Sequence, residues 1–199
     1  MDLPLDARRI TAALAGQEIG SEVQVHDELG STSDHARGLG LAGHPHGTIV
    51  LAEHQTAGRG RRENTWTASP HKNMLLSVLL RPSVSLEFWP RITTLAALAL
   101  CQAIDSSTGL KAAIKWPNDI YLHDKKCAGI LAETFNGPTG TFLVLGMGLN
   151  VNETGFPEEL RVTATSLRLE AHGHSDLDRN LLVINVLRHI NNLSQHWTA

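Results

Sequence analysis

Residues 115–151, KWPNDIYLHDKKCAGILAETFNGPTGTFLVLGMGLNV, decide the fold of this chain. Three runs rich in apolar residues follow one another here, at residues 120–122, 126–135 and 141–151. Runs of this kind, bounded by Gly, Pro, Asn and Asp, are typical of strands. No helical segment separates them, which does not fit a regular βαβ alternation and argues against a Rossmann fold.

The remaining segments supply further strands and helices around this run. The sequence pattern predicts strands at residues 22–29, 48–53, 73–81 and 113–116, and helices at residues 5–14, 31–41, 87–106 and 176–197. Residues 165–169 fit either a short helix or a turn. We therefore predict an α+β fold, with a mixed, mostly antiparallel sheet and helices packed on one face.

Length and composition indicate a single domain covering residues 1–199. Hydrophobic residues make up 42% and charged residues 19%, as in ordinary globular domains. The net charge of −3 gives no general electrostatic case for binding nucleic acid. The most apolar run, residues 95–104, is too short to span a bilayer, so we expect no membrane partner.

The cysteines and histidines indicate the cellular compartment of the protein and whether it holds a structural metal ion. Cys101 and Cys127 lie in apolar surroundings, and no signal peptide opens the chain, so we expect reduced cysteines in a cytoplasmic protein. Two histidine pairs stand in turns, within residues 44–46 and 172–174. Because neither pair has a third ligand at a useful spacing, we expect no structural metal site.

A glycine- and arginine-rich stretch, residues 58–62 (GRGRR), is the first candidate for a binding site. Glycine lets the backbone pass close to a ligand, and arginine presents a planar fork suited to carboxylate and phosphate oxygens. Trp66, just downstream, offers a face on which a base could stack. The composition fits a loop that closes over an anionic nucleotide, with a basic surface turn and a core tryptophan as the structural alternative.

Residues 115–119 (KWPND) and 126–129 (KCAG) form the second candidate. Proline pushes the preceding Trp116 towards an extended conformation, so the first segment is stiff and holds a lysine, an amide and a carboxylate close together. The small residues after Lys126 let the backbone run near a ligand, which the lysine can reach as a point charge. The alternative is structural, with Trp116 in the core and Lys115 at the surface.

Three further places could contribute polar contacts. Residues 31–33 (STS) stand at a strand-to-helix junction, where hydroxyls and helix amides either bind a ligand or only cap the helix. Gln55, at the end of a strand, is either a buried amide contact or an exposed strand end. Residues 146–150 (GMGLN) allow close approach of a ligand, but they lack the third glycine of a dinucleotide motif.

Three of these segments, in this order, resemble the catalytic domain of the biotin–protein ligase (biotin–[acetyl-CoA-carboxylase] ligase) family. They are Gly-Arg-Gly-Arg at residues 58–61, Lys-Trp-Pro-Asn-Asp at residues 115–119 and Lys-x-Ala-Gly-Ile-Leu at residues 126–131. The resemblance implies the class II synthetase-like fold of that family. It also implies a two-step reaction, in which biotin and ATP give biotinyl-adenylate and the adenylate acylates a lysine of a carrier protein.

The resemblance also implies roles for individual residues. The implied catalytic residues are Lys126, Asp119 and Arg61. The implied biotin contacts are Ser31, Thr32, Ser33, Gln55, Gly58, Arg59, Gly60, Arg61, Lys126 and Gly129, with Ser33 standing where the family has asparagine. The implied nucleotide contacts are Arg59, Arg61, Trp66, Lys115, Asn118, Lys126 and Asn150. Mg²⁺ would neutralise the triphosphate, and the sequence assigns it no ligands.

Domain content and partners follow from the same resemblance. Residues 1–199 match a catalytic domain alone, so we expect neither an N-terminal helix-turn-helix nor a C-terminal β-barrel, and no DNA binding. The implied acceptor is the biotin carboxyl carrier domain of acetyl-CoA carboxylase, and a homodimer formed through the sheet is compatible with the family. Two alternatives stay open: a lipoate- or octanoate-transferring relative of similar fold, and a non-catalytic module that binds biotin or its adenylate.

Overall fold

The computed structural model describes residues 3–62, 64–171, 175–194 and 197. Its strands are β1 Glu22–Leu29, β2 Thr48–Gln55, β3 Met74–Leu80, β4 Ala113–Lys115, β5 Asp119–Leu122, β6 Lys125–Gly137 and β7 Gly140–Leu149. Its α-helices are α1 Ala7–Ala13, α2 Thr32–Leu41, α3 Pro90–Thr108, α4 Leu167–Glu170 and α5 Arg179–Ser194, and Leu86–Phe88 form a 3-10 turn. Each predicted segment is present, with ends shifted by a few residues. The predicted histidine pair at residues 172–174 and positions 195–196 of the final helix lie outside the described residues.

These strands form one sheet in the order β1-β2-β3-β7-β6-β5-β4. The pair β1–β2 is parallel, and the other neighbouring pairs are antiparallel. The β6–β7 connection is a tight hairpin in which Gly137 pairs with Gly140. Gly140 has a φ of 104°, a conformation that favours glycine. The predicted α+β class with a mostly antiparallel sheet is confirmed.

The main core lies on the face of the sheet that α1, α3 and α5 cover. Ile49, Leu51 and Val78 of the strands belong to one cluster with Leu100 of α3 and Leu187 of α5, and all are fully buried. Burying one such side chain contributes about 1.5–3 kcal/mol. Among the described residues, no helix combines the length and the apolar character needed to cross a membrane.

The structure corrects one part of the prediction, since α2 packs on the opposite face. Ala36 of α2 clusters there with Val50, Leu79, Phe142 and Val144. Side chains alternate between the two faces along a strand, and the central strands β2 and β3 are apolar on both. A sheet of this kind attracts a helix to each side. Because α2 covers only part of its face, the remainder is open to a ligand.

A buried ion pair fixes the end of β2, where that open area begins. The side chains of Arg179 in α5 and Glu53 in β2 are 1% and 2% exposed and contact each other directly. Glu53 also accepts a hydrogen bond of 2.7 Å from the backbone N–H of Leu5. A buried charge is tolerated when it is paired and hydrogen-bonded in this way. The N-terminal segment, β2 and α5 therefore meet two residues before Gln55.

Candidate active site

A cavity of about 540 Å³ occupies the open part of the α2 face. Its walls are the start of α2, the end of β2, the facing parts of β6 and β7, and two loops. It brings together most of the predicted site residues: Ser31, Thr32, Ser33, Gln55, Arg59, Gly60, Arg61, Trp66, Asn118, Asp119, Lys126 and Gly129. Three predicted residues, Gly58, Lys115 and Asn150, are outside its lining.

The floor of the cavity carries a directed chain of hydrogen bonds. The backbone N–H and the hydroxyl of Thr32 both donate to Oε1 of Gln55, at 2.7 and 2.9 Å. Ser77 Oγ donates to Thr32 Oγ1 at 2.9 Å, so Ser33 Oγ, 3.1 Å from Ser77 Oγ, must itself be the donor to Ser77. The chain leaves the amide N–H groups of Gln55 as donors at one end. It leaves the lone pairs of Ser33 as acceptors at the other.

The first residue of this junction, Ser31, has a hydroxyl that does not cap the helix. Ser31 is the N-cap of α2, is 4% exposed and makes no side-chain capping hydrogen bond. The first backbone N–H groups of a helix also attract anionic or polar acceptor groups. Ser31 therefore does not cap α2 through its side chain, and its predicted contact with a ligand stays a prediction.

The glycine- and arginine-rich stretch closes on itself as a compact loop, which we call the ligand loop (residues 58–66, with Glu63 outside the described residues). Gly60 N–H donates to Asn64 O at 2.7 Å, and Trp66 N–H donates to Gly58 O at 3.0 Å. A Cβ atom on Gly58 would lie 2.3 Å from the carbonyl oxygen of Trp66. Glycine is therefore required at position 58 for the two ends of the loop to meet.

Trp66 lies against the sheet, over two glycines of β6 and β7. A Cβ atom on Gly148 would come within 2.5 Å of the indole, and one on Gly129 within 3.2 Å. The Lys126 ammonium lies 5.7 Å from the centre of the indole ring. Trp66 therefore forms a wall of the cavity beside Lys126. Its predicted stacking on adenine stays a prediction.

The three arginines of the ligand loop have different surroundings. Arg59 pairs with both oxygens of Glu133 and also with Asp34. Arg61 Nη1 donates to Asn118 Oδ1 at 3.0 Å, and this bond joins the ligand loop to the KWPND segment. Arg62 is exposed with a φ of 52°. Arg61 and Arg62 both line the cavity without a carboxylate partner among the described residues, and of the two Arg61 is the one hydrogen-bonded to the KWPND segment.

Lys126 and Asp119 form an ion pair on the cavity wall. Lys126 Nζ lies 2.8 Å from Asp119 Oδ1, and the two side chains are 34% and 26% exposed. Asp119 opens β5 and pairs in register with Gly129 of β6. A Cβ atom on Gly129 would lie 3.4 Å from Lys126 Nζ, so the glycine leaves room for this amine. A cation and a carboxylate are therefore presented together to the cavity.

Trp116 and Lys115 of the KWPND segment, and Asn150 after β7, differ in their surroundings. Trp116 is 80% exposed, so its interpretation as a core residue is wrong, and it lines the mouth of the cavity. The Trp116–Pro117 peptide bond is cis. Lys115 Nζ points to the Tyr121 hydroxyl at 3.1 Å, and Asn150 donates to the Thr165 carbonyl at 3.0 Å. The nucleotide contacts predicted for Lys115 and Asn150 stay predictions.

The described residues around the cavity suggest neither a metal site nor a reactive thiol. No group of three or more His, Cys, Asp or Glu side chains in the described part of the chain could hold a metal ion. Burial raises the pKa of the Cys127 thiol to about 12. The thiol next to Lys126 is therefore protonated at neutral pH and is a poor nucleophile.

Sequence reasoning missed two residues that shape this site. Ser77 stands alone among apolar residues in the buried strand β3, and this isolation was a usable signal. Glu133 is one acidic residue in a long strand, and nothing in the local pattern of β6 connects it with Arg59, which lies 74 positions away. Only the strand pairing of the folded sheet brings Glu133 to the ligand loop.

The profile of the Biotin/lipoate A/B protein ligase family matches residues 29–150, which include every residue that lines the cavity. The Bifunctional ligase/repressor BirA of Bacillus subtilis is 39% identical over 166 residues, which cover 82% of this chain and 51% of that protein. The biotin–[acetyl-CoA-carboxylase] ligase of Mycobacterium tuberculosis is 35% identical, over 98% of this chain and 72% of that protein. The chain spans about half the length of its Bacillus relatives.

Solved structures show the same similarity. The biotin protein ligase of Aquifex aeolicus in complex with biotin and ATP superposes with a TM-score of 0.78 at 29% identity, covering 89% of this chain and 72% of that one. The biotin protein ligase of Leishmania major in complex with biotinyl-5-AMP gives 0.74 at 27% identity, covering 89% and 76%.

Proposed function

The chain belongs to the Biotin/lipoate A/B protein ligase family, and on this premise we propose that it activates biotin with ATP and transfers it to a lysine of a carrier protein. The observation that carries the proposal is the Lys126–Asp119 pair, held 2.8 Å apart in a cavity with a hydrogen-bonding floor. In the first step the biotin carboxylate attacks the α-phosphorus of ATP, and pyrophosphate leaves. In the second, an amine attacks the acyl carbon, an amide forms, and AMP leaves.

The first step brings two anions together, and cations already in place offset their repulsion. Lys126 and Arg61 both line the cavity and supply positive charge there. In the second step the acceptor lysine must attack as a neutral amine, although its reference pKa is about 10.4. Asp119 is the carboxylate in the cavity lining that can orient this amine and accept its proton.

The floor of the cavity supports biotin as the substrate. A ureido group presents one carbonyl and two N–H groups, which match the donors of Gln55 and the acceptor of Ser33. Lipoate and octanoate have no such group and would cover these polar atoms while leaving them unpaired, which costs about 1–3 kcal/mol for each. This argues against the lipoate- or octanoate-transferring alternative.

We extend the proposal to the setting of the reaction. Residues 1–199 would act as one catalytic domain of a cytoplasmic enzyme, with the biotin carboxyl carrier domain of acetyl-CoA carboxylase as acceptor and with no DNA partner. Magnesium would accompany the triphosphate. Of the described residues that line the cavity, Asp119 alone is a carboxylate, and it is paired with Lys126, so this lining offers no built site for the metal ion.

The test is ATP–pyrophosphate exchange with and without biotin. We expect biotin-dependent exchange in the wild-type chain, loss of it in Lys126→Ala, and wild-type exchange in Lys125→Ala, which removes the same charge from the exposed neighbouring position. Calorimetry should show binding of biotin in preference to lipoate. Binding of biotin without exchange by the wild-type chain would identify a binding module and refute the proposed ligase.

A further inference from the structure

Arg59 ties the ligand loop to strand β6 and to helix α2. Its Nη1 lies 3.1 Å from Oε1 of Glu133 on β6, its Nη2 contacts the second oxygen of the same carboxylate, and Nη2 lies 3.2 Å from Oδ1 of Asp34 in α2. The two parallel contacts to Glu133 are the strongest geometry available to an arginine and a carboxylate. One guanidinium therefore links the loop, the sheet and the helix.

The positive charge of Arg59 is already more than balanced without a ligand. One positive charge faces two negative charges, and the Glu133 side chain is only 26% exposed, whereas that of Asp34 is 53% exposed. If Arg59 moved to an anionic ligand, both carboxylates would lose their partner close to further negative charge. Such a rearrangement is electrostatically unfavourable.

We propose that Glu133, assisted by Asp34, is a positioning residue that holds the ligand loop closed through Arg59, and that Arg59 is the anchor of the loop rather than a ligand contact. The inference rests on the proposed function, because the loop then encloses a biotinyl-adenylate. Arg61 and Trp66, which lie in the same loop and line the cavity, keep their places only while the anchor is closed. Closed loops of this kind protect reactive intermediates from water.

The first test measures how long the adenylate stays on the protein. Wild-type, Glu133→Gln and Glu87→Gln chains are charged with biotin and ATP, freed of excess nucleotide, and followed for loss of biotinyl-adenylate. Glu87 is an exposed glutamate of the 3-10 turn and serves as the matched control. We expect about tenfold faster loss in Glu133→Gln, the scale of a charge-assisted hydrogen bond, and wild-type retention in Glu87→Gln.

If Arg59 is a ligand contact and not an anchor, the rate of adenylate loss should change in the opposite direction. If Arg59 contacts the ligand and Glu133 merely competes for it, Glu133→Gln frees the guanidinium and slows the loss of adenylate. Slower or unchanged loss therefore overturns the proposal.

The second test does not depend on enzyme activity. It exchanges the charges of residues 59 and 133 by substitution. Trypsin cleavage after residues 61 and 62 reports opening of the ligand loop. We expect faster cleavage in Glu133→Arg, where two guanidinium groups repel each other, and restored protection in the Arg59→Glu/Glu133→Arg double variant. If trypsin cleaves the double variant as fast as it cleaves Glu133→Arg, the proposal that Arg59 anchors the loop is wrong. If the wild-type chain makes no adenylate, the proposed function fails. The trypsin test still shows whether Arg59 and Glu133 hold the loop closed.

Discussion

The ammonium group of Lys126 lies 2.8 Å from the carboxylate of Asp119, and the two residues come from neighbouring strands. The pair is neutral overall, so it can stand at the cavity before any ligand arrives. When a carboxylate and a phosphate enter, Lys126 gains anionic partners and Asp119 becomes available to an incoming amine. The pair therefore links the two proposed half-reactions, and it suggests a way to separate them.

Asp119→Asn should impair the second half-reaction more than the first. The amide keeps the shape of the side chain but cannot accept a proton, so transfer of biotin to a carrier lysine should fall by about 10²-fold or more, the usual contribution of a general base. ATP–pyrophosphate exchange should fall less than tenfold, because Lys126 keeps its charge. Both rates are measured on one preparation, with Asp124→Asn in the exposed β5–β6 turn as the control. Equal losses in both assays would argue against a proton-accepting role.

Ser77→Ala should weaken biotin binding while leaving ATP binding unchanged. Ser77 directs the hydroxyl of Thr32 towards Gln55 and accepts the hydrogen bond from Ser33. Without it, Ser33 loses its fixed orientation, and the KM for biotin should rise by about fivefold to tenfold, equivalent to one net hydrogen bond. Steady-state kinetics with each substrate varied in turn makes the comparison, and Ser83→Ala on the surface is the control. A matching rise in the KM for ATP would indicate general damage to the fold.

Much of this architecture could be predicted from the sequence, because it depends on local patterns. The alternating and apolar runs predicted every strand, and the motifs predicted most of the cavity lining. Packing partners that are distant along the chain could not be predicted. Nothing local to Ala36 tells on which face of the sheet α2 will lie, and nothing local to Arg59 indicates Glu133 as its partner.

Two of the three predicted residues that lie outside the cavity lining show the same limit. Lys115 and Asn150 follow motif positions, but their side chains are engaged by Tyr121 and by the Thr165 carbonyl. A motif fixes where the backbone runs, whereas the side-chain direction depends on neighbours that only the folded sheet supplies.

Gly148→Ala should displace Trp66 and weaken binding of both substrates. The added Cβ would lie 2.5 Å from the indole, which is below any normal contact distance. Because the ring must move away from the sheet into the cavity, we expect affinities for biotin and ATP to fall by about tenfold, in the range of 1–3 kcal/mol found for overpacking. Calorimetry measures both affinities. Gly155→Ala, whose added Cβ would meet nothing within 4 Å, is the control, and unchanged affinities in Gly148→Ala would contradict the position of Trp66.

Replacing each of two glycines of α2 by alanine should change the free energy of unfolding in opposite directions. Gly38 is exposed, and a Cβ there would meet nothing within 4 Å. Gly38→Ala should therefore raise the free energy of unfolding by about 0.5–1 kcal/mol, since alanine favours the helix. A Cβ on Gly40 would lie 2.3 Å from the buried Phe142 ring, so Gly40→Ala should lower that free energy by about 1–3 kcal/mol. Urea unfolding of the two variants measures both changes. Equal stabilisation by both would mean that α2 does not pack on Phe142, and the placement of the helix beside the cavity would then be wrong.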